Sequence, residues 1–253
     1  MSSELPTTVT LYDRAVLALE QVVETVVKVD PNGVDILCFG GDDEDDEDDD
    51  EGNLDWYRHI KTTKGLRGIV TDKQPAGKTN LGPALKEAID LVWNTKNLTQ
   101  RPVSILVITA NVPDDFVDTD MTEQGTTLVE QVLLENVQRF ADTCESLPLT
   151  VTFVKIGTDE TNSCIDCTNY VGMLEKTIQA QCAATGEMFR MVDCVEEQDI
   201  ASAMAEIAAA AGITKPGTKP GLKKFLKRFA KKEKCDYILV LDRSGKMVST
   251  PDE

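Results

Sequence analysis

Near the end of the sequence, Tyr237-Ile238-Leu239-Val240-Leu241 runs straight into Asp242-Arg243-Ser244-Gly245. An unbroken apolar run of this length suits a strand covered on both faces, and burial on both faces is the mark of a parallel sheet. The polar residues that follow then sit at the strand tip, presenting a carboxylate and a hydroxyl two positions apart. A strand of this kind cannot stand alone. The rest of the chain must supply parallel neighbours for its edges and helices for its faces.

The upstream sequence has the right materials. From about Thr10 to Val29 the residues Val16, Leu19, Val23, Val26 and Val27 recur at the spacing of one helical face. Asp30-Pro31-Asn32-Gly33 is turn chemistry that ends this helix. Val34 to Gly40 reads as a buried strand and Leu54 to Ile60 as a short edge strand, while Lys64 to Thr71 fits strand or helix equally. Gly77-Lys78-Thr79-Asn80-Leu81-Gly82-Pro83 is a tight polar loop that opens a helix from about Pro83 to Trp93, since proline is tolerated in a first helical turn. Val103 to Thr109 is the clearest internal strand. A helix over Thr126 to Cys144 and a strand over Leu149 to Gly157 follow. The spacing then predicts a helix over Tyr170 to Ala184, a strand over Glu187 to Asp193 and a helix from Val195 to Ala211, stopped by Gly212. Such alternation predicts an α/β fold: a doubly wound, mostly parallel sheet with helices on both faces.

Two segments interrupt the alternation. Residues 42–51 are all Asp or Glu. They have nothing to bury, so 42–53 reads as a solvated, disordered acidic insertion. Residues 213–234 combine a Pro/Gly linker with a basic amphipathic helix over Leu222 to Lys232, on which Leu222, Phe225, Leu226 and Phe229 share a face. This helix suits packing against the chain's own domain. Contact with an acidic membrane or a calmodulin-like protein is the less favoured use. The net charge of −18 argues against nucleic-acid binding. The start of the sequence lacks a basic-then-apolar leader and no run reaches membrane-span length, so the expected compartment is the cytoplasm, with the seven cysteines reduced.

Three loops carry a family resemblance. Asp242-Arg243-Ser244-Gly245-Lys246-Met247 resembles the first segment of the metal-ion-dependent adhesion site of von Willebrand factor A (vWA) domains. Lys78-Thr79-Asn80-Leu81-Gly82-Pro83-Ala84-Leu85 resembles the second segment, and Val107-Ile108-Thr109-Ala110-Asn111-Val112-Pro113-Asp114-Asp115 the third. Asp30 to Ile36 also resembles the turn and second strand of some vWA domains. The pieces stand in the family's order except that the first strand comes last. The resemblance therefore implies one circularly permuted vWA domain over 1–253, with 235–247 as the transposed first strand and metal loop and 213–234 as the joining linker. The other reading of 235–253 is the start of a second, truncated domain.

What the resemblance implies for the site is a metal centre built by Asp242, Ser244 and Thr79, together with water and Asp114 or Asp115. Two family ligand positions are replaced: Lys246 stands for the second serine and Ala110 for the second aspartate. Three readings stay open: a site retained for structure with no tight metal, a weak Mg²⁺ or Ca²⁺ site, and an unrelated use of the loops. The implied function is a non-enzymatic protein-interaction domain that binds an unknown protein partner at the strand-tip edge, as a monomer or a strand-swapped dimer. The alternative is a small-molecule or phosphate-handling enzyme that uses the strand-tip cleft.

Other patterns point to less. Cys164-x-x-Cys167 is half of a zinc motif in a chain whose one histidine is His59. A phosphate loop ending at Gly77-Lys78-Thr79 lacks its upstream glycine, because position 72 is Asp. One histidine on an edge strand gives no support for a nucleophile–histidine–acid triad.

Overall fold

The computed structural model describes residues 10–29, 32–40, 54–72, 75–94, 103–109, 113, 127–143, 149–156, 162–184, 192–196 and 236–248. Helices α1 (Leu11–Val29), α2 (Thr63–Asp72), α3 (Leu81–Asn94), α4 (Leu128–Thr143) and α5 (Asn162–Ala184) accompany strands β1 (Val34–Phe39), β2 (Asp55–Ile60), β3 (Val103–Thr109), β4 (Leu149–Lys155), β5 (Val192–Glu196) and β6 (Asp236–Asp242). A single 3-10 turn, Gly245–Val248, follows β6.

The strands form one sheet in the order β2-β1-β6-β3-β4-β5. All neighbours pair in parallel except β1 with β2, which are antiparallel. The architecture is therefore α/β, with a mixed, mostly parallel sheet. The last strand lies in the interior of the sheet. β6 pairs with β1 from Asp35↔Ile238 to Phe39↔Asp242 and with β3 from Val103↔Asp236 to Ile108↔Leu241.

Alternation along the strands explains the burial. Leu37, Phe39, Ile105, Val107, Ile238 and Val240 enter one apolar cluster, closed by α3, α4 and α5. Ile36, Cys38, Leu106, Ile108, Leu239 and Leu241 enter a second, closed by α1 and α2. β1, β3 and β6 thus each contribute to both clusters, which is why Val103 to Thr109 reads as a continuous apolar run broken only by Ser104. β2 is an edge strand, and its half-exposed residues fit that place.

Several boundaries differ from the sequence expectation. Lys64 to Thr71, equally suited to strand or helix, is helical as α2, with Leu66, Ile69 and Val70 buried on one face. α3 starts at Leu81, so Pro83 falls within its first turn, where a missing N–H costs no intrahelical bond. α5 begins at Asn162, well before Tyr170, and takes Cys164 and Cys167 into its opening turns. The strand expected over Glu187 to Asp193 lies instead at Val192–Glu196. Its position is set by the ladder with β4, Val151↔Val192 to Lys155↔Glu196. That ladder also removes Val195 and Glu196 from the helix expected to begin at Val195. The acidic run 42–51, the linker and basic helix within 213–234, and the body of the Val195–Ala211 helix lie outside the described residues. Among the described residues no helix is long and apolar enough to cross a membrane.

Candidate functional site

The parallel strands β1, β6 and β3 end together, at Phe39, Asp242 and Thr109. The backbone does most of the assembly around β6. Arg243 N donates to Phe39 O at 2.8 Å, Ala76 N donates to Arg243 O at 2.8 Å, and Gly245 N donates to Gly77 O at 3.0 Å. The loop after β6 is thereby fixed between the tip of β1 and the turn that precedes α3. Gly40 makes the approach possible. Its φ is +78°, and a Cβ there would stand 2.7 Å from Ser244 N, closer than any side chain tolerates.

This framework brings together three of the residues singled out from sequence. Thr79, Asp242 and Ser244 are all buried. Thr79 Oγ1 donates to Ser244 Oγ at 3.0 Å, and Ser244 N donates to Asp242 Oδ1 at 2.8 Å. The fourth residue, Asp114, lies outside the described residues, as do Ala110 and Asp115. Lys246 lies in the 3-10 turn directly after the loop.

Two further participants were not legible in the sequence. Thr109, at the tip of β3, donates its hydroxyl to Asp242 Oδ2 at 2.7 Å. Each oxygen of the Asp242 carboxylate therefore accepts from a different element. The signal for Thr109 lies in the ladder: Ile108↔Leu241 is its last pair, so Thr109 and Asp242 are the next residues on each strand. The second participant is Arg243. Its side chain is fully buried, and its Nη2 donates to Asp55 at the start of β2. Its Nε and Nη1 have no hydrogen-bond partner among the described residues. Burial works against the guanidinium charge, but the nearby Cys38 thiol and the Asp55 carboxylate more than offset it, and the Arg243 pKa stands above the ordinary arginine value. Burial, with Asp55 beside it, also pushes the Tyr57 phenol up.

The oxygen set can be tested against a divalent ion. Neighbouring oxygens in an octahedron with metal–oxygen bonds of about 2.1 Å lie about 3.0 Å apart. The Thr79 Oγ1 to Ser244 Oγ separation is 3.0 Å. That separation is the hydrogen bond itself; as donor chemistry, two hydroxyls and one buried carboxylate are hard oxygens of the kind Mg²⁺ or Ca²⁺ takes. Among the described residues no group of three or more His, Cys, Asp or Glu side chains is placed to hold a metal ion, so the fit rests on the chemistry of these three oxygen donors alone. No protein-family model, curated protein or solved structure matches the chain.

Proposed function

We propose that this chain is a circularly permuted, doubly wound domain of vWA type that binds a protein partner at its strand-tip edge and catalyses no reaction. The observation that carries the reading is the insertion of β6 between β1 and β3, which brings Asp242 and Ser244 against Thr79. Counted from β6 as strand 1, with β1 to β5 following as 2 to 6, the sheet order becomes 3-2-1-4-5-6. This order matches that of a doubly wound sheet, with the edge strand β2 antiparallel, and in such sheets ligands bind outside the carboxyl ends of the strands where the order reverses. The reversal falls between β6 and β3, where Thr109 meets Asp242.

In this reading Thr79, Ser244 and Asp242 hold a weakly bound Mg²⁺ or Ca²⁺. Such an ion would supply a positive charge to which a carboxylate of the partner could bind. The chain's own residues do the rest. Arg243 and Gly40 hold the loop in place, Thr109 and the Ser244 amide hold the carboxylate, and Leu81 N, at the start of α3, donates to Thr79 O.

Photo-cross-linking across the two ends of the sheet tests the location of binding. Lys78 is exposed at the strand-tip edge and Asn32 is exposed before β1, at the opposite end. A cross-linker at Lys78 should give a discrete adduct that disappears with Asp242→Ala, and one at Asn32 should give none. Adducts at both ends, or from Asn32 alone, would reject the reading. Calorimetric titration with Mg²⁺ and Ca²⁺ tests the ion separately, since no heat at millimolar metal leaves only the metal-independent form.

A further inference from the structure

We propose that Thr109 is the positioning residue of the Asp242 carboxylate, and that its hydroxyl sets the orientation in which the strand-tip centre meets a cation. This rests on the reading of Asp242, Ser244 and Thr79 as that centre. An ionised carboxylate only accepts hydrogen bonds, so the 2.7 Å contact has the threonine as donor. The opposite oxygen of the same carboxylate accepts from Ser244 N at 2.8 Å. Rotation of the carboxylate would break both bonds. Its plane is thus held from two elements, the tip of β3 and the loop after β6.

Thr109 is itself fixed. It is buried, and its carbonyl accepts from Ile156 N at 3.2 Å, which ties its backbone to the end of β4. Its side chain therefore reaches Asp242 from a rigid mount instead of a mobile loop. The neighbouring position, Ala110, carries no side-chain oxygen. The hydroxyl of Thr109 is neutral, so it orients Asp242 without adding to the charge of the centre. A group that orients a ligand through hydrogen bonds commonly affects metal affinity by about 10- to 100-fold.

The test uses the full chain as wild type, Thr109→Val, Thr109→Ala and Thr109→Ser. Thr109→Val removes the hydroxyl at nearly constant shape, Thr109→Ala deletes it without β-branching, and Thr109→Ser restores it. Two quantities are measured: hydrogen exchange of the Ser244 amide without metal, and Mg²⁺ affinity by calorimetry. The expected result is faster Ser244 exchange and Mg²⁺ binding about tenfold weaker in the two deletions, with Thr109→Ser close to wild type in both. Unchanged Ser244 exchange in both deletions overturns the positioning role. So does a Thr109→Ser variant as impaired as Thr109→Val, because packing would then be the cause. A wild-type protein that gives no heat with Mg²⁺ overturns the cation reading, and the metal-free exchange measurement keeps that failure distinct from failure of the Thr109 contact.

Discussion

The guanidinium of Arg243, buried behind the strand-tip loop, is paired with the carboxylate of Asp55 on the edge strand. The pair joins the two ends of the chain's order: the loop after the last strand is tied to the first residue of β2. A buried charge is tolerated here because Asp55 remains partly solvated while it neutralises Arg243.

Removing Asp55 leaves Arg243 buried without its carboxylate. Asp55→Ala should therefore destabilise the protein by about 3 kcal/mol, whereas Arg243→Met, which removes the charge itself, should cost clearly less. Urea unfolding of the two variants checks this. Equal losses would mean that packing, not the charge, dominates at Arg243.

Gly40 should tolerate no side chain. Gly40→Ala combines a positive φ with a Cβ 2.7 Å from Ser244 N. A loss of at least about 2 kcal/mol is expected, along with displaced amide resonances for Arg243 and Ser244. Gly68→Ala, where a Cβ meets nothing within 4 Å and the backbone is helical, should be neutral or slightly stabilising.

β6 should behave as a core strand in every stability measurement. Leu239 is fully buried and pairs with Ile36 on one side and Leu106 on the other. Leu239→Ala should cost about 3 kcal/mol, similar to Leu106→Ala on the neighbouring strand. A negligible loss at Leu239 alone would show that 236–242 is dispensable to the sheet, as a truncated second domain would be.

The surface carries a smaller, pH-dependent contribution. A hydrogen bond from Arg67 holds the Glu20 carboxyl below its ordinary pKa and joins α1 to α2. A lowered folded-state pKa means the stabilisation is present above the unfolded carboxylate pKa and is lost as pH falls through the folded value. Glu20→Gln should show a small loss of thermal stability at pH 7, reduced by salt because Arg67 is exposed. The gap from wild type should close as the pH falls below the carboxylate range.

Much of the fold is visible in local pattern. Val103 to Thr109 and Tyr237 to Leu241 are apolar enough to require cover on both faces, and the period of α1 shows which of its residues turn inward. Other parts are not local. Thr63–Asp72 has too few apolar residues to declare its period until Leu66, Ile69 and Val70 join the apolar cluster that α1, β1 and β6 share. The position of β5 follows from its partner β4, because a strand's ends are set by the backbone groups it can pair with.

The same division holds at the strand tips. Asp242, Ser244 and Thr79 stand out in the sequence because carboxylates and hydroxyls beside strand and helix ends are recognisable types. Their convergence is tertiary, because only the insertion of β6 between β1 and β3 closes the 3.0 Å gap between Thr79 and Ser244. Thr109 and Asp55 acquire their parts in the same way, each by lying opposite a residue of the last strand or the loop after it. The sequence by itself determined an α/β chain and the kinds of groups at its strand ends, since burial periodicity and turn chemistry act over a few neighbouring residues. Tertiary structure alone decided which of those groups touch, because hydrogen bonds across a sheet depend on strand order and register, which no local stretch encodes.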